Sequence, residues 1–441
     1  MKIKHIIFEL IAIAFLILNV SCSSDSVHID GGIVIGGDDD FICDISDGFS
    51  FVGASINSRG EWVACGTEGI AFGNGSRNDF HIISLFTGDR ENDKRVSLND
   101  NGNYIALFDT GIYYGDLTGY LSQLDSTLQG QYLSAKINNH DIWITSSDQG
   151  VYIGEGEQTP VFLDYVANEG EPTEVALNDS DEFVVVGSLQ VIYGYVDDDG
   201  NVNLYSTDPV SAYYDIPGVA INQYGDFIAT GSIQTITGSA APQNPKIKSV
   251  IRKNTLKIDL SGFKNIAIKK DIAKNNNGFK VKYHYKALFR TLKTRKKINL
   301  KDHLVEYHSA DINDYQDYIA GGYNYLIVNG DNYPSVTKKN EMIATAIDRN
   351  GNWVAAGTYG LYYNNSRIQR VMNSGDYLSL AMDENGNFIC VTSKSVYTYS
   401  YQRDELYDQG PVSDINYPVA GDINNNRWIA VGNYGILLWN Y

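Results

Sequence analysis

Residues Ile347 to Tyr363 read IDRNGNWVAAGTYGLYY. A turn signal, an aromatic, a short apolar run, a second glycine turn and another aromatic run follow in that order. Gly and Asn accept positive φ at little cost, so the Asn/Asp/Gly cluster is a tight turn after a first strand that includes Ala344 to Ile347. WVAAG is near-continuously apolar, as a strand covered on both faces must be. TYG turns the chain into LYY, a third strand, and a more variable stretch such as Ile368 to Met372 supplies the outer fourth.

The phrase recurs as INSRGEWVACGTEGIAFG at Ile56, LNDNGNYIALFDTGIYYG at Leu98, INNHDIWITSSDQGVYIG at Ile137, LNDSDEFVVVGSLQVIYG at Leu177 and INQYGDFIATGSIQTITG at Ile221. It continues as INDYQDYIAGGYNYLIVN at Ile312, MDENGNFICVTSKSVYTY at Met382 and INNNRWIAVGNYGILLWN at Ile423. The aromatic after the first turn is Trp62, Tyr104, Trp143, Phe183, Phe227, Tyr318, Trp353, Phe388 and Trp428. Its intervals are 42, 39, 40, 44, 91, 35, 35 and 40 residues. Strand-type units at a period near 40 indicate an all-β chain folded as a β-propeller of four-stranded blades. Eight to nine blades in one ring are expected, with two smaller rings as the alternative. A blade cannot bury its faces alone, so the recurring aromatic is read as a wedge between adjacent blades.

The unit resembles WD40-type repeats, in which an apolar strand, a turn, a second apolar strand, a glycine turn and an aromatic strand recur. It is also similar to the two-component-regulator propeller repeat, echoed by Asp348, Gly351, Trp353, Gly357, Thr358, Gly360, Leu361 and Tyr362. The Trp-Asp dipeptide is absent. These resemblances, over roughly residues 50 to 441, imply the fold; propellers of this kind bind proteins, peptides or glycans, and only some are enzymes.

The chain stops at ILLWNY, the third strand of its ninth unit. Strand-like sequence upstream of the first unit, VHIDGGIVIGG or FICDIS, is expected to complete that blade and remove its free edges. Before it, MKIKHIIFELIAIAFLILNVSCSSDS carries Lys2 and Lys4 ahead of an apolar core, Leu10 to Leu18, too short to span a bilayer. LNVSC resembles the lipobox of bacterial lipoproteins. That resemblance implies a signal peptide over 1–21, a lipid on Cys22, a tether over 22–50 that includes the possible closing strand, a propeller over 51–441 and a place in the bacterial cell envelope, periplasmic or at the cell surface. An ordinary cleaved secretory signal or an uncleaved anchor are the other readings.

The chain is acidic, with 53 Asp+Glu against 34 Lys+Arg, which argues against a general nucleic-acid role. One segment opposes this. Residues 244–305 hold 18 Lys+Arg and three acids, a net of +15, so the rest of the chain carries −34. The segment lacks the repeat template. It reads as an insertion projecting from the ring, as a degenerate further blade, as the trace of a local frameshift, or as a basic patch for an anionic polymer.

Cys43, Cys65 and Cys390 have no short spacing, and neither a zinc site nor a disulfide framework follows. Cys65 and Cys390 fall at apolar strand positions, as buried thiols do. No G-x-S-x-G, phosphate-cradling loop or H-E-x-x-H occurs. DDDGN, DRNGN and DENGN place oxygens at alternate positions, as calcium loops do. They lack the downstream bidentate acid, and other units put Asn in the acid's place, so turn geometry is the reading. SSDQGVY, which resembles half of a sialidase Asp-box, is likewise read as a turn. No metal, cofactor or catalytic residue is assigned. Turns between second and third strands share one rim with the connections into the next blade. That rim would display Glu68, Asp109, Asp148, Tyr323, Tyr359 and Tyr434, as sugar or protein contacts. The expected function is a lipid-anchored extracytoplasmic scaffold whose partner is an envelope protein or a surface glycan. The alternative is a polysaccharide hydrolase or lyase using channel-facing acids.

Overall fold

The computed structural model describes residues 41–44 and 50–440, other than 68, 75–79, 86–94, 109, 126–131, 149, 164–171, 188–190, 207–217, 231–233, 253–268, 276–277, 285–306, 323–324, 334–341, 358–359, 365, 369–376, 412–417 and 433–434. Every regular element among them is a β-strand. The strands form nine antiparallel sheets. Blade I runs from Phe51–Ile56 to Phe80–Ser84, blade II from Arg95–Leu98 to Leu121–Asp125, and blade III from Tyr132–Ile137 to Val161–Leu163. Blade IV begins at Pro172–Leu177, blade V runs from Gly218–Ile221 to Lys246–Arg252, and blade VI from Tyr307–Ile312 to Asp331–Asn332. Blade VII runs from Met342–Ile347 to Ser366–Ile368, blade VIII from Tyr377–Met382 to Glu405–Pro411, and blade IX begins at Pro418–Asn424.

The first strand of each blade touches the first strands of both neighbours, including blade IX against blade I. That closes one ring of nine, with the first strands innermost. Blade IX is completed by Phe41–Asp44, antiparallel to Gly435–Asn440 with Phe41 opposite Leu438 and Asp44 opposite Gly435. FICDIS is therefore the segment that supplies the closing strand; VHIDGGIVIGG lies outside the described residues. Closure removes the two edges an open ring would expose.

The basic segment divides. Lys246–Arg252 is the outer strand of blade V. Lys269–Asn275 and Gly278–His284 pair as a hairpin whose first strand adds to the outer strand of blade IV, Val202–Ser206, with Val202 opposite Ile272. Blade IV thus has six strands. No tenth four-stranded sheet occurs among the described residues.

Nine apolar clusters fill the nine gaps between blades, each holding one template aromatic. Trp62 packs on Ile429 and Val431 of blade IX, Tyr104 on Val63 and Phe72 of blade I, and Trp143 on Ile105 and Leu107 of blade II. Phe183 meets Ile144 and Ile153, Phe227 meets Val184 and Tyr193, and half-buried Tyr318 lies against Ile228. Trp353 packs on Ile319, Phe388 on Val354 and Leu361, and Trp428 on Ile389 and Val391. Each such buried side chain contributes about 2–3 kcal/mol of transfer free energy. Cys65 and Cys390 are buried in these clusters, and burial pushes the Cys390 thiol up.

In several early blades a glycine near the end of the third strand stands directly opposite the aromatic, as Gly154 opposite Trp143. The indole lies over it: a Cβ there would sit 2.2 Å from Trp143 Cζ2. Blade VIII uses the other solution. Tyr399 stands opposite Phe388 and the two rings stack 4.9 Å apart.

Candidate functional site

The turn between first and second strands is built around one Asn or Asp. Its Oδ1 accepts the N–H groups two and four residues on. Asn138 takes His140 and Ile142, Asn178 takes Ser180 and Glu182, and Asp348 takes Asn350 and Asn352, all between 2.7 and 3.1 Å. Such local side-chain bonds fix a turn without any metal. The fourth turn residue is left-handed, as at Gly351 (φ +78°) or, without glycine, Gln316 (φ +67°).

The amide of each Asn also donates across the blade interface to the carbonyl of its counterpart. Asn57 Nδ2 reaches Asn99 O (3.1 Å), Asn99 reaches Asn138 O (2.8 Å), and Asn138 reaches Asn178 O (2.9 Å). Asn178 reaches Asn222 O (2.8 Å), Asn222 reaches Asn313 O (2.9 Å), and Asn313 reaches Asp348 O (2.8 Å). This ladder runs from blade I to blade VII. It ends where Asp348 and Asp383 replace Asn, because an ionised carboxylate has nothing to donate.

The residue four positions on compensates. In blades I and IV the turn Asn donates to Glu61 and Glu182 (2.8 and 2.7 Å). In blades VII and VIII the pair is reversed, with Asn352 and Asn387 donating to Asp348 and Asp383 (2.8 and 3.0 Å). The calcium-like spelling of DRNGN and DENGN is this reversed pair. Asp383 also takes Asn426 N–H from blade IX at 3.0 Å.

Inner strands repeat the device one level deeper. Ser55 and Ser97 accept Leu98 and Ile137 N–H, while Asp311 and Asp422 accept Ile347 and Ile56 N–H, each from the following blade. Burial pushes Asp311 up to about 6 against the pull of its two backbone donors and of Lys136. Burial drives Glu174, which accepts Val219 N–H, up to about 7, with Lys136 and Arg95 pulling it back. It raises Asp422 too. One ammonium, Lys136 on the first strand of blade III, thus acts on all three channel carboxylates. Both Asp311 oxygens already hold backbone donors, Ile312 at 2.9 Å and Ile347 at 2.9 Å.

At the first-turn end the channel opens into a cavity of about 330 Å³ spanning blades IV to VIII. The second residue of each turn lines it: Asp179, Gln223, Asp314, Arg349 and Glu384. Around the other arc the same position is consumed between blades. Ser58 donates to Asp100 (2.9 Å), Asp100 N–H to Asn139 (2.8 Å), and Asn139 to both Asp179 oxygens (2.9 Å). The third turn residue points outward. It is Tyr224 in blade V and Tyr315 in blade VI, 67% and 73% exposed. Tyr120 and Tyr401, on turns between third and fourth strands, lie on the same face and are the other exposed large apolar side chains among the described residues.

On the opposite rim, Asp148 is half-buried at its turn. Glu68, Asp109, Tyr323, Tyr359 and Tyr434 lie outside the described residues, as does Cys22. Sequence reasoning passed over Gln223, Asp314, Arg349, Glu384 and the two turn tyrosines, although Tyr224 and Tyr315 stand where other turns carry polar residues. Among the described residues no three His, Cys, Asp or Glu side chains gather as a metal site.

No protein-family model matches the chain, and no curated protein matches it in sequence. Among solved structures it is similar to the Dos1 propeller at 10% identity over 91% of this chain and 94% of that one, with a TM-score of 0.42. It is also similar to YCF48 bound to D1 peptide, at 10% identity, 92% and 97% coverage and a TM-score of 0.43. The extracellular domain of BT4673 from B. thetaiotaomicron gives 11% identity, 91% and 66% coverage and a TM-score of 0.28.

Proposed function

We propose that the protein is an extracytoplasmic binding scaffold, held to a bacterial membrane by lipid on Cys22, whose ligand enters the first-turn mouth of the channel. Its partner is an envelope protein or a surface glycan. One observation carries the reading. Polar groups of the turns are spent on blade-to-blade hydrogen bonds around most of the ring, whereas the side chains of Gln223, Arg349 and Glu384 have no partner among the described residues. They sit at a cavity, on the face that displays the exposed tyrosines. Recognition sites in ring scaffolds are of this kind: a rigid frame whose few uncommitted side chains converge on a concavity.

Two measurements test it. Cys22→Ala should move the full chain from the membrane pellet to the soluble fraction; unchanged partitioning removes the anchor. The pair Arg349→Glu and Glu384→Arg should weaken binding of an envelope protein or glycan retained by the immobilised chain, with an unchanged thermal melt. Undiminished binding removes the mouth as the binding face.

A further inference from the structure

Building on that scaffold reading, we infer that the mouth takes the end of a neutral oligosaccharide. The uncommitted groups are two phenol faces, Tyr224 and Tyr315, with the amide of Gln223, the guanidinium of Arg349, and the carboxylates of Asp314 and Glu384. Asp314 commits only Oδ1, to Gln223 N–H at 3.1 Å.

Charge decides between ligand classes. The lining sets five carboxylates, Asp179, Asp311, Asp314, Asp383 and Glu384, against the one guanidinium of Arg349; Asp179, Asp311 and Asp383 already accept hydrogen bonds on both oxygens, which leaves Arg349, Asp314 and Glu384 as the charges free to meet a ligand. Glu384 and Asp314, with the channel carboxylate of Asp311 behind them, oppose an anionic one. Like-charge juxtaposition costs enough to reject an anion at this acidic mouth, whereas a neutral partner meets no such penalty. Vicinal hydroxyls are donors and acceptors at once. Planar carboxylate, amide and guanidinium groups engage two of them side by side, and all three planar groups line this cavity.

The tyrosines supply the apolar half. They occupy the same turn position in adjacent blades, so a chain lying along the rim passes over both rings in succession. Each presents a rigid, amphipathic face at low entropic cost. The cavity, about 330 Å³, falls at the low end of the roughly 300–1,000 Å³ typical of small-ligand sites. It admits one or two sugar rings, with the rest of the chain running out over Tyr224 and Tyr315.

The test uses the full chain on an array of neutral oligosaccharides of varied linkage, followed by calorimetry with the best binder. A hexagalacturonate and a chitosan hexamer serve as anionic and cationic controls. A neutral oligosaccharide should bind, both controls should bind at least about tenfold more weakly, and Tyr224→Ala and Tyr315→Ala should each cost on the order of tenfold in Kd without moving the melt. Arg349→Ala should lose affinity for the neutral sugar. The inference falls if no neutral sugar binds, if a charged control binds best, or if the tyrosine variants bind as the parent does. Should an envelope protein still be retained, and be weakened by the Arg349→Glu and Glu384→Arg pair, then the scaffold reading survives and the sugar alone is wrong.

Discussion

Blades I to VI and blades VII to IX hold together differently at the same turn. In the first arc an asparagine side chain accepts within its own turn and donates to the next blade, so one residue serves two blades. In blades VII and VIII aspartate fills the position and the donor moves four residues on, and the interfaces of blade IX are carried by substitutes. Asn426 N–H bonds Asp383, Asn425 Nδ2 donates to Ser58 O at 3.2 Å, and the Arg427 guanidinium bonds the Arg59 carbonyl. The difference shows that Asn and Asp are not interchangeable spellings of a turn. Asn extends a bond network around the ring, and Asp terminates it.

The comparison can be broken most severely at the seam of the second arc. A chain beginning at Ser50 lacks Phe41–Asp44, leaves Gly435–Asn440 as a free edge, and should lose more than about 4 kcal/mol or associate. Melting and gel filtration measure it; a monomer melting within a few degrees of the intact chain would show the seam to be dispensable. In the first arc, Asn178→Ala strands the N–H groups of Ser180 and Glu182 and the carbonyl of Asn222, and should cost about 3 kcal/mol by denaturant unfolding. Asn352→Asp sets a second carboxylate against Asp348 and should cost about 2 kcal/mol, more at high pH. Adding Asp348→Asn should restore stability by recreating the Asn–Asp order of blade VI, where Asn313 Nδ2 donates to Asp317 at 3.4 Å. A double variant no better than the single one would mean that the reversed pair depends on more than these two residues.

Smaller effects sharpen the picture. Glu174 titrates near 4.3 in the unfolded chain but at about 7 in the fold. Between those values the folded protein holds a proton that the unfolded chain releases, so stability falls as pH rises through the window. Asp311 adds the same trend up to about 6. Glu174→Gln should flatten the pH dependence of the melt and raise Tm at pH 8 by about 1–2 °C. A parallel profile in parent and variant would assign the trend elsewhere. Least of all, Gln316→Gly relieves a left-handed backbone and should add up to about 1 kcal/mol.

Much of this was legible in the sequence. A period near 40 with a fixed turn–aromatic–glycine order predicts nine units and one ring of eight to nine blades, and FICDIS was one of two segments within reach of the unfinished last blade. The turn role of Asp348 was also readable, because eight other copies put a turn former at its place. The mouth was not. Whether Asp100 or Arg349 is free depends on the residue that the neighbouring blade sets beside it, and a unit read alone contains only half of each interface. The same holds for the basic tract: Lys246–Arg252 belongs to blade V and Lys269–His284 to blade IV, a crossover that composition does not encode.

Among the described residues, blade IX is the only sheet whose strands come from both ends of the sequence, with Phe41–Asp44 beside Gly435–Asn440. The ring therefore has no structural beginning. Joining residue 440 to residue 41 through a short linker and opening the chain within 86–94, between blades I and II, would keep the strands of every sheet. A circular permutant of that design moves the chain termini to another sector of the circumference without changing which blades meet.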